Sequence, residues 1–201
     1  IKDKWFLSAV GGFKSQFLNG FNLPNDSTKV SGFMAPGYVN VALGIDYTPQ
    51  SNLSIFLSPI AIKMTIVNDK ILADQGAFGV DPAVLNVNGQ IITAGKRFRG
   101  EFGAYLRVQY QKELFKNVNF KGRLELFSNY VENPQNIDVN ADVLWTFKVN
   151  SWLSASLNWT LIYDDDINIR DVKGNFGPRT QFKSVLGLGL SYTVRNFVEK
   201  K

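Results

Sequence analysis

Residues 136–164 read NIDVNADVLWTFKVNSWLSASLNWTLIYD, and their alternation decides the fold class. Val139, Ala141, Val143, Trp145, Phe147 and Val149 form one apolar file, which starts at Ile137. Between them lie Asp138, Asn140, Asp142, Leu144, Thr146 and Lys148, polar except for Leu144. The pattern pauses at Asn150-Ser151 and resumes: Leu153, Ala155, Leu157, Trp159, Leu161 and Tyr163 on one file, Ser154, Ser156, Asn158, Thr160 and Asp164 on the other. A period of two over this length predicts two antiparallel strands joined by a tight turn, because successive strand side chains point to opposite faces. At about 3.3 Å per residue each strand runs roughly 40 Å, longer than the usual globular strand of about 5 or 6 residues. Long, alternating, aromatic-ended strands point to a transmembrane β-barrel, with one file toward lipid and the other toward the lumen.

The same pattern extends outward from this hairpin. In Phe98–Gln111, Phe98, Phe102, Ala104, Leu106, Val108 and Tyr110 alternate with Arg99, Glu101, Arg107 and Gln109. In Val118–Tyr130, Val118, Phe120, Leu124 and Leu126 oppose Asn119, Lys121, Arg123 and Glu125. Upstream, Lys4–Asn19 and Gly37–Tyr47 alternate in the same way. Leu53–Val67 does so with a change of parity at Pro59, from Leu53, Ile55 and Leu57 to Ile60, Ile62, Met64 and Ile66. A one-residue shift of face at a proline predicts a β-bulge, since proline cannot donate to the ladder. Lys183–Phe197 is the last strand, and the long, weakly periodic Asn68–Lys96 and the polar Asp165–Phe182 are connections. The strands number eight, and long connections alternate with short ones, as extracellular loops alternate with periplasmic turns in outer-membrane barrels. That alternation puts Ile1 and Lys201 on the periplasmic side.

Composition is compatible with this reading. The chain has 201 residues, 45% of them hydrophobic, with 16 Phe, 7 Tyr and 4 Trp. No apolar run reaches the roughly 18 residues of a transmembrane helix. There is no cysteine and no histidine, which removes thiolate sites, imidazole metal sites and histidine-based hydrolases. Serine–lysine or carboxylate pairs such as Glu101 and Glu125 remain formally available, but no spacing marks an acid–base pair, so no catalytic residue and no enzyme activity is assigned. The net charge is +5, yet the basic residues are scattered, without the stripe of a nucleic-acid binder. No cofactor is implied.

The nine charges of the middle strands, Arg99, Glu101, Arg107, Lys121, Arg123, Glu125, Asp138, Asp142 and Lys148, share the polar file and are expected to line the lumen. Eight strands leave an interior just wide enough for side chains to fill, giving a salt-bridged plug. With further strands ahead of Ile1 the same charges would line a narrow channel. Trp5, Phe102, Tyr110, Trp145, Phe147, Trp159, Tyr163 and Tyr192 are the expected lipid-facing or interfacial aromatics. Asp164-Asp165-Asp166, with Asn168 and Asp171, is an oxygen-rich cluster and a weak calcium candidate that lacks the spacing of a calcium loop. The competing architecture is a soluble, lipocalin-like ligand-binding barrel, which requires Val139, Val143 and Trp145 to face a closed interior.

Several stretches resemble a poorly characterised family of outer-membrane barrel proteins of Gram-negative bacteria, catalogued as a domain of unknown function. They are Ser15-Gln16-Phe17, Phe33-Met34-Ala35-Pro36-Gly37-Tyr38, Leu57-Ser58-Pro59, Leu124-Glu125-Leu126-Phe127-Ser128-Asn129-Tyr130 and Leu161-Ile162-Tyr163-Asp164. The expected partners are outer-membrane lipid and other outer-membrane proteins of a complex. The resemblance implies additional strands ahead of the first one here, making residues 1–201 a single barrel domain that lacks its N-terminal strands, the C-terminal part of a barrel of about twelve. An exported barrel carries a signal peptide, expected upstream of Ile1 in the precursor. The expected role is non-enzymatic: a structural or accessory subunit of a membrane complex, or a small, porin-like channel.

Overall fold

The computed structural model describes residues 3–22, 24, 27–170 and 174–192. Eight long strands build one antiparallel sheet: β1 Trp5–Ser15, β2 Gly37–Gln50, β3 Leu53–Ile66, β4 Phe98–Phe115, β5 Val118–Asn129, β6 Ile137–Lys148, β7 Leu153–Tyr163 and β8 Gln181–Leu190. Their order in the sheet is their order in the chain. Each strand therefore pairs with its sequence neighbours, the simplest outcome for strands joined by hairpins. Among the described residues no ladder joins β1 to β8, so each has one unpaired edge.

The alternation sets the register. Val143 pairs with Trp159 and Asp142 with Thr160 across β6 and β7, while Arg123 pairs with Asp142 and Glu125 with Asn140 across β5 and β6. Paired residues share a face, so the polar files of neighbouring strands form one surface and the apolar files the other. Short connections follow β2, β4 and β6; long ones follow β1, β3 and β7. Between β6 and β7, Asn150 Oδ1 accepts from the N–H groups of Trp152 and Leu153, closing the turn.

The expected bulge lies at Pro59. Leu43 pairs with Ile60 but Ile45 with Leu57, and Ser58 and Ala61 pair with Tyr105 and Gly103. Leu57 and Ile60 are exposed while Ser58 between them is fully buried. Gly44 lies opposite the extra residue, where a Cβ would stand 2.2 Å from the Leu57 carbonyl oxygen. The bulge therefore needs a residue without a side chain at that point.

Three boundaries differ from the alternation pattern. β4 runs on to Phe115 because Lys112, Glu113 and Phe115 pair with Phe120, Asn119 and Val118, leaving only Lys116-Asn117 as the turn. Asn117 has φ +66, in the left-handed region that asparagine tolerates. β1 stops at Ser15, and Gly20–Phe21 pairs separately with Lys29–Ser31. β8 starts at Gln181; the expected continuation over Thr193–Phe197 lies outside the described residues.

The connection after β3 is structured, contrary to its weak periodicity. It holds a helix, α1 Lys70–Asp74, a 3-10 turn Ala77–Gly79 and a small hairpin, Val84–Leu85 with Ile91–Thr93. A helix of five residues is too short to register as a helical period. Asp69 caps it, accepting from the N–H groups of Ile71 and Leu72. Lys29, 2.5 Å away, and these N–H groups hold the Asp69 carboxyl below the usual carboxylate range. Lys70 and the Gly95 N–H do the same for Asp74. Leu72, Ala73, Val80, Val67 and Ala35 pack into a small core beneath α1.

Candidate functional site

The charged file is the concave side of the sheet. Lys63 Nζ, on β3, lies 2.6 Å from Asp138 on β6 and 3.0 Å from Asp164, just past β7. These partners stand three and four ladders away. In a flat sheet, with strands about 4.8 Å apart, their stems would be separated by roughly 14 and 19 Å. The contacts are made because the sheet curls toward this face. Glu101, directly opposite Lys63, completes the group at 3.6 Å, and the ammonium lies 5.5 Å from the centre of the Phe127 ring. Phe56, Ala42, Ala61 and Phe127 form the apolar floor of the curl.

Arg99 continues the network toward the long loops. Its guanidinium lies 3.4 Å from Glu101, forms a short ion pair with Asp166 and donates to the Gly79 carbonyl at 3.0 Å. Glu101 is among the most buried charges, and its Oε1 makes no hydrogen bond. The neighbouring carboxylates Asp138, Asp164, Asp165 and Asp166 outnumber the cations, and Asp165 accepts instead from Asn136 and the Tyr163 hydroxyl. The cavity left among Glu101, Glu132, Asp138, Asp165 and Asp166 is about 10 Å³, room for a single water.

A second, more exposed group lies nearer the short turns. Arg123 contacts Asp142 at 3.0 Å and Glu125 at 3.8 Å. Thr160 donates to Asp142, Asn140 to Glu125, and the Tyr105 hydroxyl to Glu125. Arg107 lies over the Phe56 ring, 5.3 Å from its centre, and its buried Nε has no hydrogen-bond partner. Toward the short turns the surface opens. Lys121 lines a cavity of about 670 Å³ with Gln50, Asn52, Gln109 and Gln111, and Lys148 is exposed without an ion-pair partner among the described residues.

All nine expected charges thus fall on one face, and seven of them, all but Lys121 and Lys148, join its contacts. Lys63 is missing from that set although it is the centre of the network. It is the only charged residue of β3, and it belongs to the polar file once the parity has changed at Pro59.

The apolar file is the convex side, and much of it is exposed: Leu7, Val41, Leu43, Ile45, Leu57, Ile60, Ile62, Leu186, Leu188 and Leu190. Val139, Val143 and Trp145 belong to this file and pair with Tyr163, Trp159 and Leu157. The lipocalin-like arrangement needs them on the concave side, which the charges occupy instead. Aromatics gather at both ends of the convex side. Near the short turns Trp5 stacks on Tyr47 at 4.2 Å, and Phe120 contacts Trp145 at 4.8 Å and Tyr110 at 6.0 Å. Near the long loops Phe102 meets Tyr130 edge-on at 5.6 Å. From Phe102 to Tyr110 the strand spans roughly 26 Å. Phe147 is exposed near the turns, Trp159 is exposed in the ladder row of Tyr110, and Tyr192 is almost fully exposed.

Asp164, Asp165 and Asp166 form no common cradle. One turns to Lys63, one to Asn136 and Tyr163, and one to Arg99. Among the described residues no group of three or more acidic side chains is placed to hold a metal ion, and Asp171 lies outside those residues.

A family model described as a protein of unknown function, DUF481, matches residues 82–174, from the connection after β3 to the loop after β7. Neither the curated proteins nor the solved structures yield a match.

Proposed function

We propose that the chain is barrel wall in a cell outer membrane, acting without catalysis as a structural or accessory subunit of a membrane complex or as a small channel. The observation that carries this reading is the orientation of the two files, with leucines, isoleucines and valines outward on the convex side and ion pairs inward. A soluble barrel has the opposite arrangement. Only nine apolar residues are buried among those described, four of them alanine. The accessible surface is 14399 Å², against about 9,500 Å² for a soluble monomer of 22.5 kDa. A convex apolar surface left for a bilayer to cover, framed by two aromatic bands as interfacial girdles are, accounts for part of this excess.

Hydrocarbon cannot satisfy the free N–H and C=O groups of a sheet edge. In a membrane the edges of β1 and β8 therefore pair with each other or with further strands. The short turns and both ends of the chain would lie on the periplasmic side.

Purified protein should require detergent, give a β-type circular dichroism spectrum and migrate differently on gels before and after heating. A monomer fully soluble without detergent would overturn the membrane reading. Val143→Lys places a charge on the convex side and should weaken insertion into lipid vesicles by about 2–4 kcal/mol. Planar-bilayer recording separates the two roles, with conductance steps for a channel and silence for a scaffold.

A further inference from the structure

We propose that the connection after β3 is a lid over the long-loop end of the curled sheet, and that Arg99 is the pin that holds it shut. Arg99 stands on the concave face, opposite Thr65 in the β3–β4 ladder. One guanidinium nitrogen donates to the Gly79 carbonyl of this connection, and the other pairs with Asp166 of the connection after β7. Those two connections leave strands four places apart in the sheet, so a single side chain ties opposite sides of the mouth together. The lid is shaped to reach the pin. Gly76, Phe78 and Gly79 have φ of +71, +60 and +81, and a bulky residue such as Phe78 holds a left-handed conformation only where its surroundings impose it. Phe78 and Ala77 pack on the core of Val67, Leu72, Ala73 and Val80 beneath α1. A Cβ on Gly79 would stand 2.7 Å from the Arg99 guanidinium, so the pin seats against bare backbone.

Beside Asp166, a cavity of about 10 Å³ is lined by Glu101, Asp138 and residues of the connections after β5 and β7, and a cavity of about 670 Å³ opens near the short turns. The lid rests on the barrel reading for what it would close off; the Arg99 contacts themselves do not.

The test uses the absence of native cysteine. Thr65 is 2% exposed and stands opposite Arg99 in the β3–β4 ladder, so Thr65→Cys gives one buried thiol beside the pin. In the full chain in detergent it should react with a maleimide far more slowly than a free thiol. Adding Arg99→Ala, Gly79→Ala or Asp166→Asn should speed labelling about tenfold or more, the shift expected when a charge-assisted hydrogen bond is lost from an opening equilibrium. The heat-dependent gel shift should persist in these variants. Asp166→Asn alters only a loop residue and decides the matter where Arg99→Ala does not fold. Unchanged rates with Asp166→Asn, or rapid labelling without any second substitution, overturn the lid. A protein soluble without detergent overturns the barrel reading instead, and the labelling ratio then still reports on the pin.

Discussion

Lys63 and Arg123 both hold carboxylates on the same face of one sheet, yet by different means. Arg123 meets Asp142, its direct neighbour across one ladder, and its side chain is 42% exposed. Lys63 draws in three carboxylates from β4, β6 and the end of β7 at 21% exposure. The first pair follows from register alone. The second exists only because the sheet curls until strands three and four ladders apart face each other. Local pairing yields a replaceable contact, whereas the curl turns one lysine into a point on which several strands depend.

The largest effect should follow from Lys63→Ala. It strands Glu101, Asp138 and Asp164 without their shared cation and should lower stability by about 3–5 kcal/mol, read by urea unfolding of the detergent-solubilised protein. A loss below 1 kcal/mol would mean that water screens the group and that the curl is looser than described. Gly44→Ala comes next. A methyl group 2.2 Å from a backbone oxygen must push β2 and β3 apart at the bulge, at a cost of about 1–3 kcal/mol by the same assay. An unchanged midpoint would show that the bulge can move. Arg123→Ala should cost about 1 kcal/mol or less, because half-exposed pairs contribute little. A value equal to that of Lys63→Ala would erase the contrast between the two groups.

The smallest effect is local and depends on pH. Asp69 and Asp74 have carboxyls held below their ordinary value, so they contribute stability that is present above the unfolded carboxylate pKa and lost as pH falls through the lower, folded one. Amide protection at Leu72 and Gly95 should hold from neutrality to about pH 5 and fade below about pH 4. Because Lys63 and Arg123 lie elsewhere, fading at Leu72 and Gly95 while the sheet amides stay protected would separate the cap of α1 from the curl.

Much of the fold could be read directly from residue order. Alternation located seven of the long strands to within a few residues and the start of the eighth, the parity change at Pro59 located the bulge, and the spacing of turn formers separated short connections from long ones. That nine charges share one face followed from the same period. Lys63 was overlooked because a single charge in an otherwise apolar strand carries little weight until the change of parity is followed through it. α1 was hidden by its length, since five residues make little more than one turn. The three adjacent aspartates look like one site in sequence, but the turn after β7 sends each to a different partner.

The period of two determines secondary structure, strand order and which side chains share a face, because these depend on residues next to one another in the chain or across one ladder. It cannot reveal which face is concave, since either curvature satisfies the same alternation. That was decided in three dimensions, where Lys63 reaches Asp138 and Asp164 and Arg99 reaches Gly79 and Asp166, contacts between residues separated by up to 101 positions. Curvature is a sum of small twists over many strands, and only the assembled sheet carries that sum.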